Sequence, residues 1–158
     1  MTTSTASHIA LLAPVPLQHL VSGADVAKRE GRVAFGSRAW EIFRDLDGSR
    51  KRLAVDVYIY ASHAEGPPQF EATWHARYTG HVESINGAHP AGMRYRPQST
   101  AKYFTDNHGH WAVFWEVEDL RELPRAKRIR LADLTGFGKK RTYGKGFVPE
   151  GPLIIEHP

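Results

Sequence analysis

The sequence predicts an α+β domain built as a small curled β-barrel with short flanking helices. Three observations carry this. Residues 70–83 alternate over an unusually long run, with Phe70, Ala72, Trp74, Ala76, Tyr78, Gly80 and Val82 on one face. Residues 111–118 repeat the alternation, placing Trp111, Val113, Trp115 and Val117 together. Two short strand patterns, 9–13 and 32–36, each lead into a helical pattern. A strand as long as 70–83 must coil, and Gly80 is the expected bend. Long curled strands suit a small closed barrel.

Residues 1–7 are small and polar and predict a frayed tail. Residues 9–13 predict the first strand, broken by Pro14 and Pro16. Pro16 also suits the first turn of a helix through Leu17, Leu20 and Val21, ending near Gly23. Residues 24–32 carry Lys28, Arg29, Glu30 and Arg32 and predict a solvated turn. A strand over 32–36 follows. Ser37 is then placed as the N-cap of a helix in which Trp40, Phe43 and Leu46 recur at helical spacing. Such a strand-to-helix turn leaves backbone amides facing outward, so Gly36, Ser37 and Arg38 form a candidate ligand grip.

Residues 53–60 predict a strand with Leu53, Val55, Val57 and Ile59 on one face and Asp56, Tyr58 and Tyr60 on the other; Ala61, Ser62 and His63 extend it into a loop. Residues 86–109 predict an irregular connection. There Arg94, Tyr95, Arg96, Lys102, Tyr103 and Phe104 interleave cations and rings, a mixture suited to phosphates and base stacking. In the strand at 111–118, Glu116 and Glu118 are expected to face solvent. Pro124 fits its exit, residues 130–134 predict one helical turn, and Ile154 and Ile155 a last short strand.

At 158 residues the expectation is one domain, 1–158, and four tryptophans argue against disorder. The chain has no cysteine, which removes disulfides, thiolate nucleophiles, cysteine zinc sites and the zinc deaminases, and fits a cytoplasmic compartment. No apolar run reaches the ~18–20 residues a bilayer span needs, so no membrane partner is expected. Residues 9–15 are too short, and lack a basic lead, for a signal peptide. Charge is uneven. Residues 121–145 hold nine basic side chains against Glu122 and Asp133, a local +7 that leaves −3 for the rest of a chain of total +4. This predicts a phosphate-binding surface of Arg125, Lys127, Arg128, Arg130, Lys139, Lys140 and Arg141. The chain lacks a G-x-S-x-G elbow and P-loop spacing. His108 and His110 form a metal-like pair that lacks a third ligand at a recognisable spacing. Neither a metal nor another cofactor is expected.

The run AFGSRAWEIFRDL followed by AVDVYIYAS resembles the EVE domain of the PUA-like superfamily. Gly36 and Arg38 match the family's strand-ending turn, and Asp56, Val57, Tyr60 and Ser62 match its next strand. HWAVFWEVEDLRELPRAKRIRLADL is similar to the later strand, basic turn and short helix. The resemblance spans residues 32–134. Ser37, Ala39 and the Ala54–Val55 pair depart from the pattern, as do residues 86–109 and the Gly/Lys-rich tail.

The resemblance implies a pseudo-barrel and a pocket for a nucleobase, often a modified one, in DNA or RNA. The candidate base-binding residues are Gly36, Ser37, Arg38, Trp40, Tyr60, Ser62 and Trp111, with a cytosine-type base expected and a separate effector nuclease as a further partner. The related ASCH domains offer an alternative. Lys28 and Glu30 would then be catalytic in a hydrolase acting on a modified nucleoside or RNA. A protein-interaction domain with an acidic partner is the third reading. Oligomeric state is not set by the sequence.

Overall fold

The apolar run that opens the chain becomes its most enclosed strand. In the computed structural model, which describes residues 4–158, β1 (Ile9–Pro16) lies between β3 (Val55–Ser62), to which it is parallel, and β8 (Leu153–Glu156), to which it is antiparallel. A strand covered on both faces needs no alternation. Ile9, Leu11, Ala13 and Val15 enter the main core, while Ala10 and Leu12 enter a second, smaller one. Pro14 and Pro16 do not break this strand as expected. Pairing with β8 stops at Leu12, so the prolines sit beyond that ladder while β3 pairs as far as Pro16. Of the expected frayed tail, residues 1–3 lie outside the described residues. Ser4 and Ala6 instead share backbone hydrogen bonds with Ala54, and Ala6 is buried.

α1 (Leu17–Glu30) runs straight through Gly23, where the sequence pattern ends it. Gly23 provides closeness instead. A β-carbon there would sit 3.3 Å from the Phe35 ring and 3.4 Å from Val33, so the glycine lets the helix lie close on β2 (Val33–Ser37). Residues 24–30, expected as a turn, therefore continue the helix until left-handed Gly31 ends it. α2 (Trp40–Ser49) buries Phe43 and Leu46. Ser37 is not its N-cap. Its Oγ accepts from the Ala39 N–H at 3.0 Å inside the turn, and the helix starts three residues later.

β4 (Glu71–Ala72), β5 (Trp74–Glu83), β6 (Val113–Glu122) and β7 (Ile129–Arg130) complete the strands. The main sheet is mixed and runs β2–β6–β5–β3–β1–β8; β4 and β7 form a separate two-stranded sheet. The inner faces of β1, β2, β3, β5 and β6 and both helices share one core, in which Trp115 packs between Phe35 and Phe43. Register slips twice between β5 and β6, the second time between Tyr78 and Gly80. Gly80, at φ 153°, is thus the bend its position predicts.

The alternation at 70–83 is interrupted. Thr73 donates its N–H to Ile59 and accepts from the Leu123 N–H through its carbonyl. This break sends Ala72 into the second core and Trp74 into the main one, although their parity is the same.

Residues 86–109 pack on the outer face of β2 and β6. The Ala34 N–H donates to Tyr95. Arg96, expected at a nucleic-acid surface, is 1% exposed. Its guanidinium donates to the Ala34 carbonyl at 2.7 Å, to the Asp106 carbonyl and Asn107 Oδ1 at 2.9 Å, and lies 4.8 Å from the Phe114 ring centre. Burial pushes its pKa down to about 10, with Asp106 opposing. Glu116, expected to face solvent, is buried under the same segment. It lies 3.2 Å from His89 Nε2 and 3.3 Å from Arg32.

His19 joins α1 to this segment. Its Nδ1 lies 2.7 Å from Ser99 Oγ and its Nε2 3.8 Å from Asp106. Burial holds its pKa below the ordinary 6.5; Asp106 opposes this, and Arg96, Lys102 and His63 add to it. A histidine lowered in the folded state takes up protons more readily in the unfolded chain. Its contribution is therefore complete above about pH 6.5 and is lost as pH falls through that value toward the folded pKa. Hydrogen-exchange protection of residues 98–107 should drop between about pH 7 and about pH 5, and the drop should shrink in His19→Gln. Equal losses in both proteins would remove His19 from the account.

Candidate functional site

The end of β3 and the start of β5 border two adjoining cavities. The first is a cleft of about 1060 Å³ between α1, the end of β3 and residues 63–69. Leu17, Val21, Tyr60 and Trp74 supply apolar and aromatic wall. Asp25, Glu65, Glu71 and Glu122 supply carboxylates, and Arg128 and His63 the basic groups. The second is a groove of about 960 Å³ bordered by Arg125, Arg128, Arg130, Lys145 and Phe70. Gln69, Glu71 and Arg128 line both, so the two adjoin.

Local sequence builds the groove. Leu131 and Leu134 are buried in the second core, and Ile129 packs against it. Period two then turns Arg128 and Arg130 the other way, on either side of Ile129. β7 holds this register by pairing Arg130 with Glu71. Next to Glu71, Phe70 is 44% exposed, freed by the break at Thr73 from the long strand that alternation predicts. Few partners compete for these cations. Arg128 donates to the Leu123 carbonyl at 3.4 Å and lies 3.9 Å from Glu122; Arg130 lies 4.0 Å from Asp133, with both groups exposed. Arg125 and Lys145 have no ion-pair partner among the described residues.

The structure brings together only part of the expected site. Tyr60 lines the cleft, and Arg125, Arg128 and Arg130 line the groove. Lys127 is exposed beside it in a 3-10 turn. Lys139, Lys140 and Arg141 sit apart, on the exposed turn of a small hairpin bridged at Thr135 and Thr142. Ser62 pairs with Pro16 at the end of β3.

The other base-binding candidates are at the far end of the sheet. Ser37 pairs with Val113, and Val113 with Glu83 at the end of β5, whereas Ile59 pairs with Trp74 at its start. The ten residues of β5 therefore separate the Gly36 turn from the Tyr60 end, about 30 Å at ~3.3 Å per residue. Gly36 is covered by Trp111: a β-carbon there would lie 2.3 Å from the indole Cδ1. Trp111 in turn donates its Nε1–H to Asp106 at 3.2 Å, and Ser37 is buried. Arg38 and Trp40 are exposed at that end. Lys28 and Glu30 lie on the last turn of α1, where Glu30 pairs with Arg94 at 3.3 Å; neither borders the cleft or the groove.

Trp74 and Phe70 are cleft and groove residues that the sequence pattern assigns elsewhere, while Lys145, part of the basic stretch 121–145, also borders the groove. The only sequence signal for Phe70 is its position just after the Gly66–Pro68 turn. Among the described residues no cluster of three or more His, Asp or Glu side chains is arranged to hold a metal ion. Among the described residues no helix is long and apolar enough to cross a membrane. Comparison with protein-family models, with curated proteins and with solved structures finds no match for this chain.

Proposed function

We propose that this protein is a nucleic-acid-binding module of the PUA-like kind. In this reading the curled sheet is the pseudo-barrel of that superfamily, the cleft receives one base, and the groove holds the flanking phosphates. The observation that carries it is the adjacency of the two cavities: an aromatic, carboxylate-lined cleft shares Gln69, Glu71 and Arg128 with a groove of four cations and an exposed phenylalanine. Phosphates are held by cations whose counterions are released on binding, and extruded bases by rings and hydrogen-bond acceptors.

Tyr60 and Trp74 supply the rings. Asp25, Glu71 and Glu122 supply acceptors for the exocyclic amino group of a cytosine-type base, and a cleft of this size has room for a substituent on it. The base-binding role passes in this reading from the Gly36 turn to the Tyr60 end, because only that end adjoins the cations. A hydrolase using Lys28 and Glu30 is disfavoured because neither borders the cleft or the groove and Glu30 is paired with Arg94.

The test is fluorescence anisotropy with single-stranded DNA and RNA oligonucleotides, with and without modified cytosines, over a range of salt. Binding should weaken linearly in log–log form, with a slope of about −0.7 per phosphate neutralised. Modified oligonucleotides should bind more tightly. A flat salt response sinks the phosphate groove, and equal binding of modified and unmodified strands sinks base recognition.

A further inference from the structure

A third cavity, of about 450 Å³, lies at the opposite end of β5 from the cleft, and its wall includes Trp40, Arg44, Asp47, His81, Glu83 and Ser84. Asp47 is fully engaged there. Its Oδ1 accepts from the Tyr78 hydroxyl and from Arg50 Nε, both at 2.8 Å, and its Oδ2 accepts from His81 Nδ1 at 2.7 Å. Burial and the adjacent Asp47 push the Tyr78 phenol far up, so it stays a donor. This geometry assigns the His81 proton to Nδ1 and leaves Nε2 as an acceptor without a protein partner among the described residues.

The imidazole is steadied by the Phe43 ring, centred 6.0 Å away. Across the same cavity Trp40 is 47% exposed, with the Arg44 guanidinium 5.2 Å from its ring centre. Trp40, Arg44, His81, Glu83 and Ser84 therefore border one space: a ring surface, a guanidinium that also holds Asp45 Oδ1 at 3.1 and 3.2 Å, a serine hydroxyl, and two residues with acceptors, His81 and Glu83. A purely apolar ring would leave the acceptors unpaired. An anion would meet Glu83. A flat ring whose edge carries both donors and acceptors satisfies all of them.

We propose that this cavity is a ligand site for an uncharged heteroaromatic ring of nucleobase size, stacked on Trp40, with a ring N–H or amino group donating to His81 Nε2. The site is independent of the cleft, from which it is separated by the length of β5. The ring can belong to a free nucleoside or to a base presented by a strand, and the two sources are distinguishable.

The experiment titrates the full-length protein with adenosine, cytidine, guanosine and uridine in one arm, and with a mixed-sequence single-stranded hexanucleotide in the other, by calorimetry. Three variants accompany the wild type. Trp40→Ala changes an exposed ring. His81→Asn keeps a donor toward Asp47 but lacks the Nε2 acceptor. Arg125→Ala/Arg130→Ala disables the groove. At least one ligand should bind wild type, with affinity falling about tenfold or more in Trp40→Ala, the loss expected of one aromatic stack. It should also fall in His81→Asn with the melting temperature retained, and persist in the groove variant for nucleosides. Nucleoside binding identifies a free ligand; Trp40-dependent binding of the oligonucleotide alone identifies a base in a strand. Binding that ignores Trp40→Ala, or the absence of any binding in both arms, overturns the proposal. Nucleoside binding lost only in the groove variant places the ligand in the groove and overturns it as well.

Discussion

Replacing Arg96 by alanine is expected to destabilise the protein by about 3–5 kcal/mol, the usual cost of breaking a buried charged network. The side chain is 1% exposed and donates to three oxygens, two of them backbone carbonyls of Ala34 and Asp106. Alanine removes the donors and strips the buried Ala34 carbonyl and the half-buried Asp106 carbonyl and Asn107 side chain of their partner. It also frees Asp106, which lies 3.6 Å from the guanidinium and accepts from Trp111. The damage therefore spreads to the ring that covers Gly36. For a chain of this size, each kcal/mol lowers the melting temperature by about 2–4 °C, so a drop on the order of 10 °C is expected by calorimetry. Arg96→Lys should recover little, because an ammonium cannot serve three divergent acceptors in the planar geometry of a guanidinium. A loss below about 1 kcal/mol would mean that the 86–109 segment does not depend on this network.

The second large effect concerns the groove. Arg125→Ala/Arg130→Ala should lower affinity for a single-stranded oligonucleotide by about 10- to 30-fold at ~0.15 M salt. It should also reduce the salt slope by about 1.4, corresponding to two lost phosphate contacts on a single strand. Both side chains are exposed, so the melting temperature should be nearly unchanged. Lys139→Ala/Lys140→Ala removes as much charge from the separate hairpin turn, outside the groove. Its effect on affinity should be clearly smaller. Equal losses in the two double variants would show a diffuse attraction to net charge in place of a groove that positions phosphates. The two outcomes separate cleanly because both proteins carry the same net charge.

Both predictions concern arginines that look alike in the sequence. Arg96 sits between Tyr95 and Pro97, Arg130 between Ile129 and Leu131, and composition treats the two as members of basic, ring-containing stretches. What separates them is long-range packing. Arg96 is enclosed because the Ala34 amide and carbonyl, sixty-two residues away, need partners along the free edge of β2, the side away from β6. Arg130 is exposed because its neighbours Ile129 and Leu131 claim the interior. The same distinction explains Glu116 and Glu118: one parity, but only Glu116 lies under the segment that folds across the sheet.

Alone, the sequence determined the α+β class, the inward faces of β3, β5 and β6, the bend at Gly80 and the basic character of residues 121–145. Each of these depends on period, glycine placement or local charge, which neighbouring residues set between them. Tertiary structure decided the rest. It carried α1 through Gly23, because a close helix–sheet contact favours the missing β-carbon there over a helix stop. It broke the longest alternation at Thr73, because backbone bonds to Ile59 and Leu123 outweigh continued parity. It set the Gly36 turn and the Tyr60 end at opposite ends of β5, because strand order is fixed by pairings between segments far apart in the chain. The candidate site depends on that last decision. Which rings stand beside which cations is a property of the sheet order, and no local pattern of residues encodes it.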